Sequence, residues 1–265
     1  MNPAGPHITG CKRPQQPSSS MDQYTSDMNE AALDEHLDAL DPLRHLRNDS
    51  SEIVPPQNPT VIHQAIELSF PPLDRPVKLV VDAGPGCGGI AWPAGEVLSR
   101  YLARRGSLVG QRVVELGSGT GLVGLVAGLL GAEEVVITDQ EQLINIMKEN
   151  IELNNLQSRV RASVLNWGEP MPPNLPSTVS AIIAADCVYV ESAFPLLVST
   201  LTDLNNTYPN AEILFCYKKR RKADKRFFGI LKRQFTWEEV ADDPGRELYS
   251  REAITLLRLQ RIRKL

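Results

Sequence analysis

The sequence predicts an α/β fold in which a mostly parallel β-sheet is covered by helices on both faces. Three observations lead to this prediction. Short apolar runs alternate with amphipathic stretches from about residue 93 onward, as strands alternate with helices in such folds. One apolar run leads directly into a turn with glycine at positions 117, 119 and 121, which a helix follows. The composition, 42% hydrophobic and 23% charged, is ordinary for a globular protein.

The first 60 residues have the composition of a largely disordered extension. Residues 1–51 are rich in Pro, Ser, Asn, Gln and Asp, which cannot bury enough apolar surface to fold alone. Within them, residues 30–47 carry leucines at helical spacing. That stripe fits either a loosely docked helix or a helix that binds a partner. We therefore expect an extension over residues 1–60 and one folded domain over residues 61–265.

The folded domain is predicted to begin with a β-hairpin. Two β-like runs, residues 65–70 and 77–81, flank a proline-rich turn. Residues 84–89 then form a glycine-rich stretch that we expect to be flexible. A helix over residues 94–105 follows, with Pro93 near its first turn and Gly106 at its end.

From residue 112 onward the strands and helices alternate. The seven predicted strands cover residues 112–116, 134–138, 160–165, 180–185, 212–217, 236–240 and 253–260. The predicted helices between them cover residues 122–130, 140–153, 194–204 and 224–234. This order predicts a Rossmann-like, seven-stranded, mostly parallel sheet with helices on both faces. In such sheets the ligand binds over the C-terminal ends of the strands.

The glycine turn is the strongest candidate for a ligand site. Its glycines allow positive φ angles and a close approach of the backbone, and the following helix offers free N–H donors. Gly119, Gly121 and Gly124 also satisfy G-x-G-x-x-G, the dinucleotide fingerprint. Asp139 ends the second strand, where an acidic residue binds ribose hydroxyls. Because NAD and S-adenosylmethionine both carry a ribose, the turn and Asp139 leave both cofactors open.

The distribution of histidine and cysteine excludes several kinds of chemistry. No histidine follows His63, so a site in the rest of the chain works without a histidine base or a Ser-His-Asp triad. The four cysteines, at positions 11, 87, 187 and 216, form no C-x-x-C pair. We therefore expect no metal site and a reducing compartment.

Charge and hydropathy predict a cytoplasmic protein with no membrane segment. Residues 1–16 are polar and lack the apolar core of a signal peptide, and the longest apolar run, residues 122–130, is too short to span a bilayer. The formal net charge of −4 argues against stable binding to nucleic acid, because general nucleic-acid binders are usually basic.

Five segments of the sequence resemble one enzyme family. The matching segments are Trp92-Pro93-Ala94, Glu115 to Gly124, Thr138-Asp139, Asn166-Trp167-Gly168 and the Asp-x-x-Tyr of Asp186 and Tyr189. Over roughly residues 63 to 265 the chain resembles the methyltransferase-21-like (family 16) seven-β-strand protein-lysine methyltransferases. Within that family it is most similar to the fungal lysine methyltransferases that act on translation elongation factor 1-alpha. The glycine turn alone is common to many methyltransferases, whereas the Trp-Gly and Asp-x-x-Tyr elements occur together in a much narrower set of families.

The resemblance implies a monomeric S-adenosyl-L-methionine-dependent protein-lysine N-methyltransferase whose protein substrate is elongation factor 1-alpha. The implied cofactor-binding residues are Trp92, Glu115, Gly117, Ser118, Gly119, Asp139, Trp167 and Ala185. In this scheme the glycine turn cradles the methionine part, Asp139 binds the ribose, and Trp167 lies beside the adenine. Asp186 and Tyr189 form the catalytic end. For the two tryptophans, the alternative is a packing role in the core.

Methyl transfer to an amine makes modest demands on the catalytic end. Free lysine has a pKa of about 10.4, so the enzyme must admit the neutral amine and exclude water. We interpret Asp186 as a positioning and charge-compensating group, because a lone carboxylate beside lysine favours the ammonium form. The alternative is that Asp186 caps the helix that follows it. Cys187 is expected to pack in the core rather than act as a nucleophile.

Other functions remain open from the residues. The acceptor could belong to another protein, such as an Hsp70-type chaperone, or to RNA or a small molecule. An NAD-linked oxidoreductase is the alternative from another class, and a non-catalytic binder that keeps the fold is a further one. Residues 218–233 contain nine basic residues and one acid, which fits a solvated face, a docking patch for an acidic or RNA-bearing substrate, or a nuclear-import signal.

Overall fold

The structure, a computed structural model, describes residues 32, 33, 36, 37, 40, 61–220 and 224–262. The five isolated residues are helical and exposed, with Leu33 56% and Leu40 69% accessible. The rest of the predicted extension lies outside the described residues. Helices from residue 61 onward are numbered from α1.

The predicted hairpin is present as a separate two-stranded antiparallel sheet. It consists of β1 (Gln64–Leu68) and β2 (Val77–Val81). The second edge of β2 faces a helix, where two asparagines take the place of a strand. Asn150 accepts from the amide of Val80 at 2.6 Å and donates to its carbonyl, and Asn154 bonds Lys78 in the same way. The side-chain amides thus satisfy backbone groups that would otherwise be buried unpaired.

The main sheet has seven strands in the order β5-β4-β3-β6-β7-β9-β8. Its strands are β3 (Arg112–Leu116), β4 (Glu134–Asp139), β5 (Val160–Val164), β6 (Ala181–Ala185), β7 (Glu212–Lys218), β8 (Phe235–Glu239) and β9 (Ile254–Arg261). The helices are α1 (Pro93–Arg105), α2 (Leu122–Leu129), α3 (Ile144–Leu153), α4 (Phe194–Thr207), α5 (Asp224–Leu231) and α6 (Arg246–Arg251). Strands β3 to β7 are parallel, and β9 enters antiparallel between β7 and β8. The predicted fold class is confirmed.

Three differences from the predicted elements have local causes. The helix expected over residues 140–153 begins only at Ile144, because a 3₁₀ turn over Glu141–Leu143 precedes it. The helix expected over residues 224–234 ends at Leu231. Helix α6 was not predicted, since of its six residues only Tyr249 is buried and no apolar period marks it.

The core has one cluster on each face of the main sheet. Neighbouring residues of a strand point to opposite faces, so Val113 packs with α1, α2 and α3 while Val114 packs with α4 and α5. On the second face Phe227 of α5 stacks on Phe215 of β7, with ring centroids 5.4 Å apart. Both faces of the parallel strands are therefore covered, as such sheets require.

The strand order reverses between β3 and β6. The chain moves outward from β3 to β4 and β5, then crosses back to place β6 on the other side of β3. The turns that leave β3 and β6 therefore diverge to opposite faces and open a crevice at the C-terminal edge. The glycine turn follows β3 there and Asp186 follows β6.

We predict that Asn150→Ala lowers the free energy of unfolding by about 2–4 kcal/mol, because three buried hydrogen bonds, to both backbone groups of Val80 and to the carbonyl of Thr120, are lost. Urea unfolding measures the change. Asn145→Ala, on the exposed side of the same helix, is the matched control and should stay within about 0.5 kcal/mol of wild type. Equal effects of the two substitutions would contradict the bridging role of Asn150.

Candidate active site

A cavity of about 840 Å³ opens at the strand-order reversal. Its size is within the range of small-molecule sites. All ten residues that the sequence singled out line it: Trp92, Glu115, Gly117, Ser118, Gly119, Asp139, Trp167, Ala185, Asp186 and Tyr189. They come from five separate segments of the chain, which the parallel sheet brings to one edge.

The glycine turn has a backbone that side chains would disrupt. Gly117, Gly119 and Gly121 have φ angles of 59°, 54° and 84°, in the left-handed region. A Cβ on Gly119 would lie 2.6 Å from the carbonyl oxygen of Gly88, and one on Gly117 would lie 2.8 Å from the sulfur of Cys187. The glycines therefore keep a narrow backbone surface open to the cavity.

Strand β4 holds the turn in place. The amide of Ser118 donates to the carbonyl of Thr138 at 3.0 Å, and the amide of Thr138 donates to the hydroxyl of Ser118 at 2.9 Å. Asp139 accepts from the amide of Gly119 at 2.8 Å through one oxygen and from the amide of Gln140 through the other. Each of these oxygens keeps a second lone pair for a ligand hydroxyl. Desolvation raises the pKa of Asp139.

Glu115 supports the turn from behind. It is 2% exposed, and its carboxylate accepts from the amide of Gly124 in the first turn of α2 at 2.9 Å. Burial raises the pKa of this carboxyl to about 8. Glu115 lines the cavity, but its hydrogen bonds tie the helix to the strand.

A second loop closes the cavity opposite the turn. The stretch expected to be flexible, residues 84–89, contains a 3₁₀ turn over Cys87–Gly89 and packs against Gly119. The indole nitrogen of Trp92 donates to the carbonyl of Cys87 at 2.7 Å, which fixes the ring at the N-terminal end of α1. Trp92 is half-buried, so it packs in the wall and also borders the cavity.

Trp167 borders the turn on its other side. Its ring carbon Cζ2 would lie 3.0 Å from a Cβ on Gly117. The next residue, Gly168, donates its amide to the hydroxyl of Thr200 at 2.8 Å, which anchors the loop on α4. Cys187 is 2% exposed and lies 3.4 Å from the carbonyl oxygen of Leu116. Burial raises its pKa well above the usual value, so Cys187 is a neutral packing thiol, as predicted.

Asp186 is held by contacts from three elements. Its carboxylate accepts from both terminal nitrogens of Arg220, at 2.8 and 3.0 Å, and from the amide of Lys218 at 3.0 Å. A longer contact of 3.4 Å joins it to the amide of Ala94 in the first turn of α1. Asp186 therefore does contact a helix N-terminus, but it is that of α1 and not of the helix that follows it in sequence.

Tyr189 lies beside the side chain of Cys87 and lines the cavity. Desolvation raises the pKa of its hydroxyl well above the usual value. Tyr189 is therefore a neutral phenol, able to donate or accept a hydrogen bond but not to act as a phenolate base.

Sequence reasoning missed part of the lining. The additional lining residues include Cys87, Gly88, Gln142, Leu143, Leu196 and Arg220. Arg220 belongs to the basic run for which a solvated face was one of three interpretations, yet its side chain is only 8% exposed. The available signal was its position just after β7, because β7 is parallel to β6 and both strands end at the same edge.

The described residues show neither a metal site nor a membrane span. Among them, no three histidine, cysteine, aspartate or glutamate side chains cluster as metal ligands do. Within the same part of the chain, no helix combines the length and apolarity needed to cross a bilayer.

Comparison with known proteins identifies the family. A profile of a family described as lysine methyltransferase matches residues 73–234. The chain is 42% identical over 211 residues to the protein-lysine N-methyltransferase EFM6 of Saccharomyces cerevisiae, with 70% of this chain and 86% of that protein covered. The chain belongs to the protein-lysine methyltransferase family. This membership confirms the predicted enzyme class and removes the alternative of an NAD-linked oxidoreductase.

A further relative agrees with this assignment, and a solved structure agrees with the fold. The protein N-lysine methyltransferase METTL21A of Mus musculus is 38% identical over 168 residues, covering 62% of this chain and 76% of that protein. The fold matches that of the T. thermophilus 16S rRNA N2 G1207 methyltransferase in complex with AdoMet and guanosine. That match has a TM-score of 0.55 at 17% identity, over 79% of this chain and 52% of that one. The cofactor of the enzyme described here, a member of the lysine methyltransferase family, is S-adenosyl-L-methionine.

We predict that Gly119→Ala weakens the binding of S-adenosylhomocysteine at least about tenfold, because the methyl group strains a left-handed residue and meets the carbonyl of Gly88. Calorimetric titration measures the change. Gly229→Ala is the matched control, since nothing lies within 4 Å of the added carbon on α5. Unchanged affinity in Gly119→Ala would show that this backbone does not shape the binding site.

Glu115 should give stability a distinctive pH dependence. Its folded-state pKa, about 8, exceeds the ordinary value of 4.5, so between these values the folded state holds a proton that the unfolded state releases. Stability therefore falls as pH rises through this window. We predict that Glu115→Gln reduces the fall between pH 5 and pH 8 by at least about 1.4 kcal/mol, the value of one pKa unit.

Urea unfolding at several pH values measures this difference. Burial raises the pKa of Glu96 to about 7, so Glu96 titrates in the same window. The slope of the unfolding free energy against pH is therefore compared between wild type and Glu115→Gln, because neither slope is expected to be zero. Glu152→Gln, at an exposed position, is the control and should keep the wild-type slope. The same slope in Glu115→Gln would mean that Glu115 is ionised in the folded protein.

Proposed function

We propose that this enzyme methylates a lysine of elongation factor 1-alpha, acting as a monomer in the cytoplasm. The observation that carries the proposal is the two-ended cavity. One end has the glycine turn after β3 and Asp139 at the end of β4, the other has Asp186 after β6, and Tyr189 lines the cavity from the loop that follows Asp186. A cofactor that spans the turn would present its methyl group toward the second end, where a lysine side chain can enter.

The first end suits S-adenosyl-L-methionine. We assign Gly117, Ser118 and Gly119 to the methionine part, because the left-handed glycines carry no side chains and let a ligand approach the backbone closely. Asp139 would accept from the ribose hydroxyls with the lone pairs that the amides leave free. A Cβ on Gly117 would meet both Cys187 and Trp167, so only glycine lets the turn pack this closely against them.

The remaining cofactor residues would shape the walls. We assign Trp167 to the adenine, Ala185 to the floor at the end of β6, and Trp92 to the opposite wall. Glu115 would act indirectly, through its hydrogen bond to the start of α2. We also propose that residues 61–265 are the methyltransferase domain and residues 1–60 an extension outside it.

At the second end, the protein orients an amine and keeps water away. When bound, S-adenosyl-L-methionine supplies an electrophilic methyl group, to which the amine lone pair forms a C–N bond as the C–S pair returns to sulfur. Nitrogen then carries the positive charge and loses a proton to solvent. Tyr189, a neutral phenol, would accept a hydrogen bond from the amine, and Asp186 would help to position it.

The choice of elongation factor 1-alpha rests on similarity. The motif segments resemble the fungal lysine methyltransferases that act on that factor, and the 42% identity to yeast EFM6 extends over 86% of that protein. A protein target also suits a cavity mouth bordered by Tyr189 and Leu196, which are 38% and 46% exposed.

The proposal is tested with labelled S-adenosylmethionine and a fungal lysate, followed by purified, unmethylated elongation factor 1-alpha. We predict label on one lysine of the factor, identified by mass spectrometry. Asp139→Ala should abolish most labelling and weaken S-adenosylhomocysteine binding about 10- to 100-fold, since charge-assisted hydrogen bonds are lost. Asp203→Ala, an exposed carboxylate on α4, is the matched control and should label as wild type does.

Each other outcome has a defined meaning. Label on a different protein would keep the enzyme class and replace the substrate. Label on RNA and not on protein would contradict the proposed acceptor. Full labelling by Asp139→Ala would contradict the assignment of the first end of the cavity.

A further inference from the structure

Arg220 is the most conspicuous group in the cavity that the proposed function leaves without a role. Its guanidinium forms a bidentate ion pair with Asp186. The side chain of Arg220 is 8% exposed and that of Asp186 is 4% exposed. It also lies over the ring of Trp92, 4.9 Å from the ring centroid. Its own backbone amide donates to Asp224, a 1% exposed residue at the start of α5. Arg220 thus joins α1, β6 and α5 at the catalytic end.

The carboxylate of Asp186 has little capacity for further partners. An ionised carboxylate has about four acceptor positions. Arg220 occupies two of them, the amide of Lys218 a third, and the longer contact to Ala94 points to the fourth. An incoming ammonium would therefore compete with a fixed guanidinium for oxygens that are already bonded.

The charge of Asp186 is balanced by the guanidinium of Arg220. The titratable side chains on the elements around it include Glu96, Glu115, Asp139, Cys187, Tyr189, Cys216, Lys218, Arg220 and Asp224. Cys187, Cys216 and Tyr189 are neutral, because burial raises their pKa values well above the usual range. Glu96 pairs with Arg100, and Lys218 pairs with Glu252 at 3.9 Å. Among the described residues, Arg220 is the cation that faces this carboxylate.

We propose that Arg220 is a positioning residue whose guanidinium offsets the charge of Asp186, so that the acceptor lysine is held as a neutral amine. This inference rests on the proposed lysine acceptor. A bare carboxylate beside the amine would favour the ammonium form, which has no lone pair for the methyl group. The ion pair instead presents a polar surface with no net charge, and its stacking on Trp92 fixes that surface in the wall of the cavity.

The first test is the pH dependence of kcat with elongation factor 1-alpha, which reports the ionisation of the bound amine. For Arg220→Gln we expect the inflection of the curve of kcat against pH to move about one pH unit or more to the alkaline side. At pH 7.5 kcat then falls about tenfold, it recovers at high pH, and KM does not rise. Arg220→Lys, which keeps the charge, should stay near the wild-type inflection, and so should Arg233→Gln, an exposed position in the same basic run.

The double variant Asp186→Asn with Arg220→Gln removes both charges, and its inflection should return to the wild-type value. A lower kcat in Arg220→Gln at every pH with an unchanged inflection would show that Arg220 has only a structural role. An inflection that stays alkaline in the double variant would equally overturn the proposal.

A second test needs no acceptor. S-adenosylmethionine carries a positive sulfonium and S-adenosylhomocysteine does not, so the ratio of their affinities senses the charge at the catalytic end. In Arg220→Gln this ratio should shift several-fold toward S-adenosylmethionine, and the double variant should reverse the shift. An unchanged ratio would contradict the proposal. If the wild type binds the cofactor but leaves elongation factor 1-alpha unmethylated, the acceptor assignment fails while this ratio still decides the role of Arg220.

Discussion

The site depends on one physical constraint, the attachment of the glycine turn to strand β4. A turn with three left-handed glycines has few side chains of its own to hold it, so neighbouring groups must help to fix it. Thr138 and Asp139, at the end of β4, bond the backbone of Ser118 and Gly119, and Glu115 ties the helix start to the strand. Parallel pairing of β3 with β4 keeps these groups in register. The conformation of the turn is thereby fixed before any ligand arrives, which lowers the ordering cost of binding.

The same parallel arrangement explains why one cavity has two chemically different ends. Strands β3 and β4 bring the turn and a carboxylate to one side, while β6 and β7 bring Asp186 and Arg220 to the other. The first end offers a turn whose glycines carry no side chains and the free lone pairs of Asp139, which suit an amino acid and a ribose. The second end offers a balanced ion pair and a neutral phenol, which suit an uncharged nucleophile. Neither end requires a strong base, in agreement with the absence of histidine after residue 63.

The parts of the fold with strong periodicity could be predicted from the sequence, and the parts fixed by long-range partners could not. Strand β3 was predicted over the residues that form it, because four of its five residues are buried and three of them, Val113, Val114 and Leu116, are apolar. The insertion of β9 between β7 and β8 follows from tertiary pairing, which no local pattern encodes. All ten site residues line the cavity because motifs at strand ends mark its edge. Arg220 was missed because a basic run usually faces solvent, and only the partner Asp186, 34 positions away, explains its burial.

The central claim is that one cavity holds the cofactor at the glycine turn with its reactive centre toward Asp186 and Tyr189. A crystal structure of the full chain with S-adenosylhomocysteine tests it most directly. The account predicts ribose hydroxyls within hydrogen-bond distance of Asp139, the adenine beside Trp167, and the thioether sulfur facing the ion pair of Asp186 and Arg220. A ligand bound outside this cavity, or bound in it with the sulfur turned away from that pair, would contradict the account.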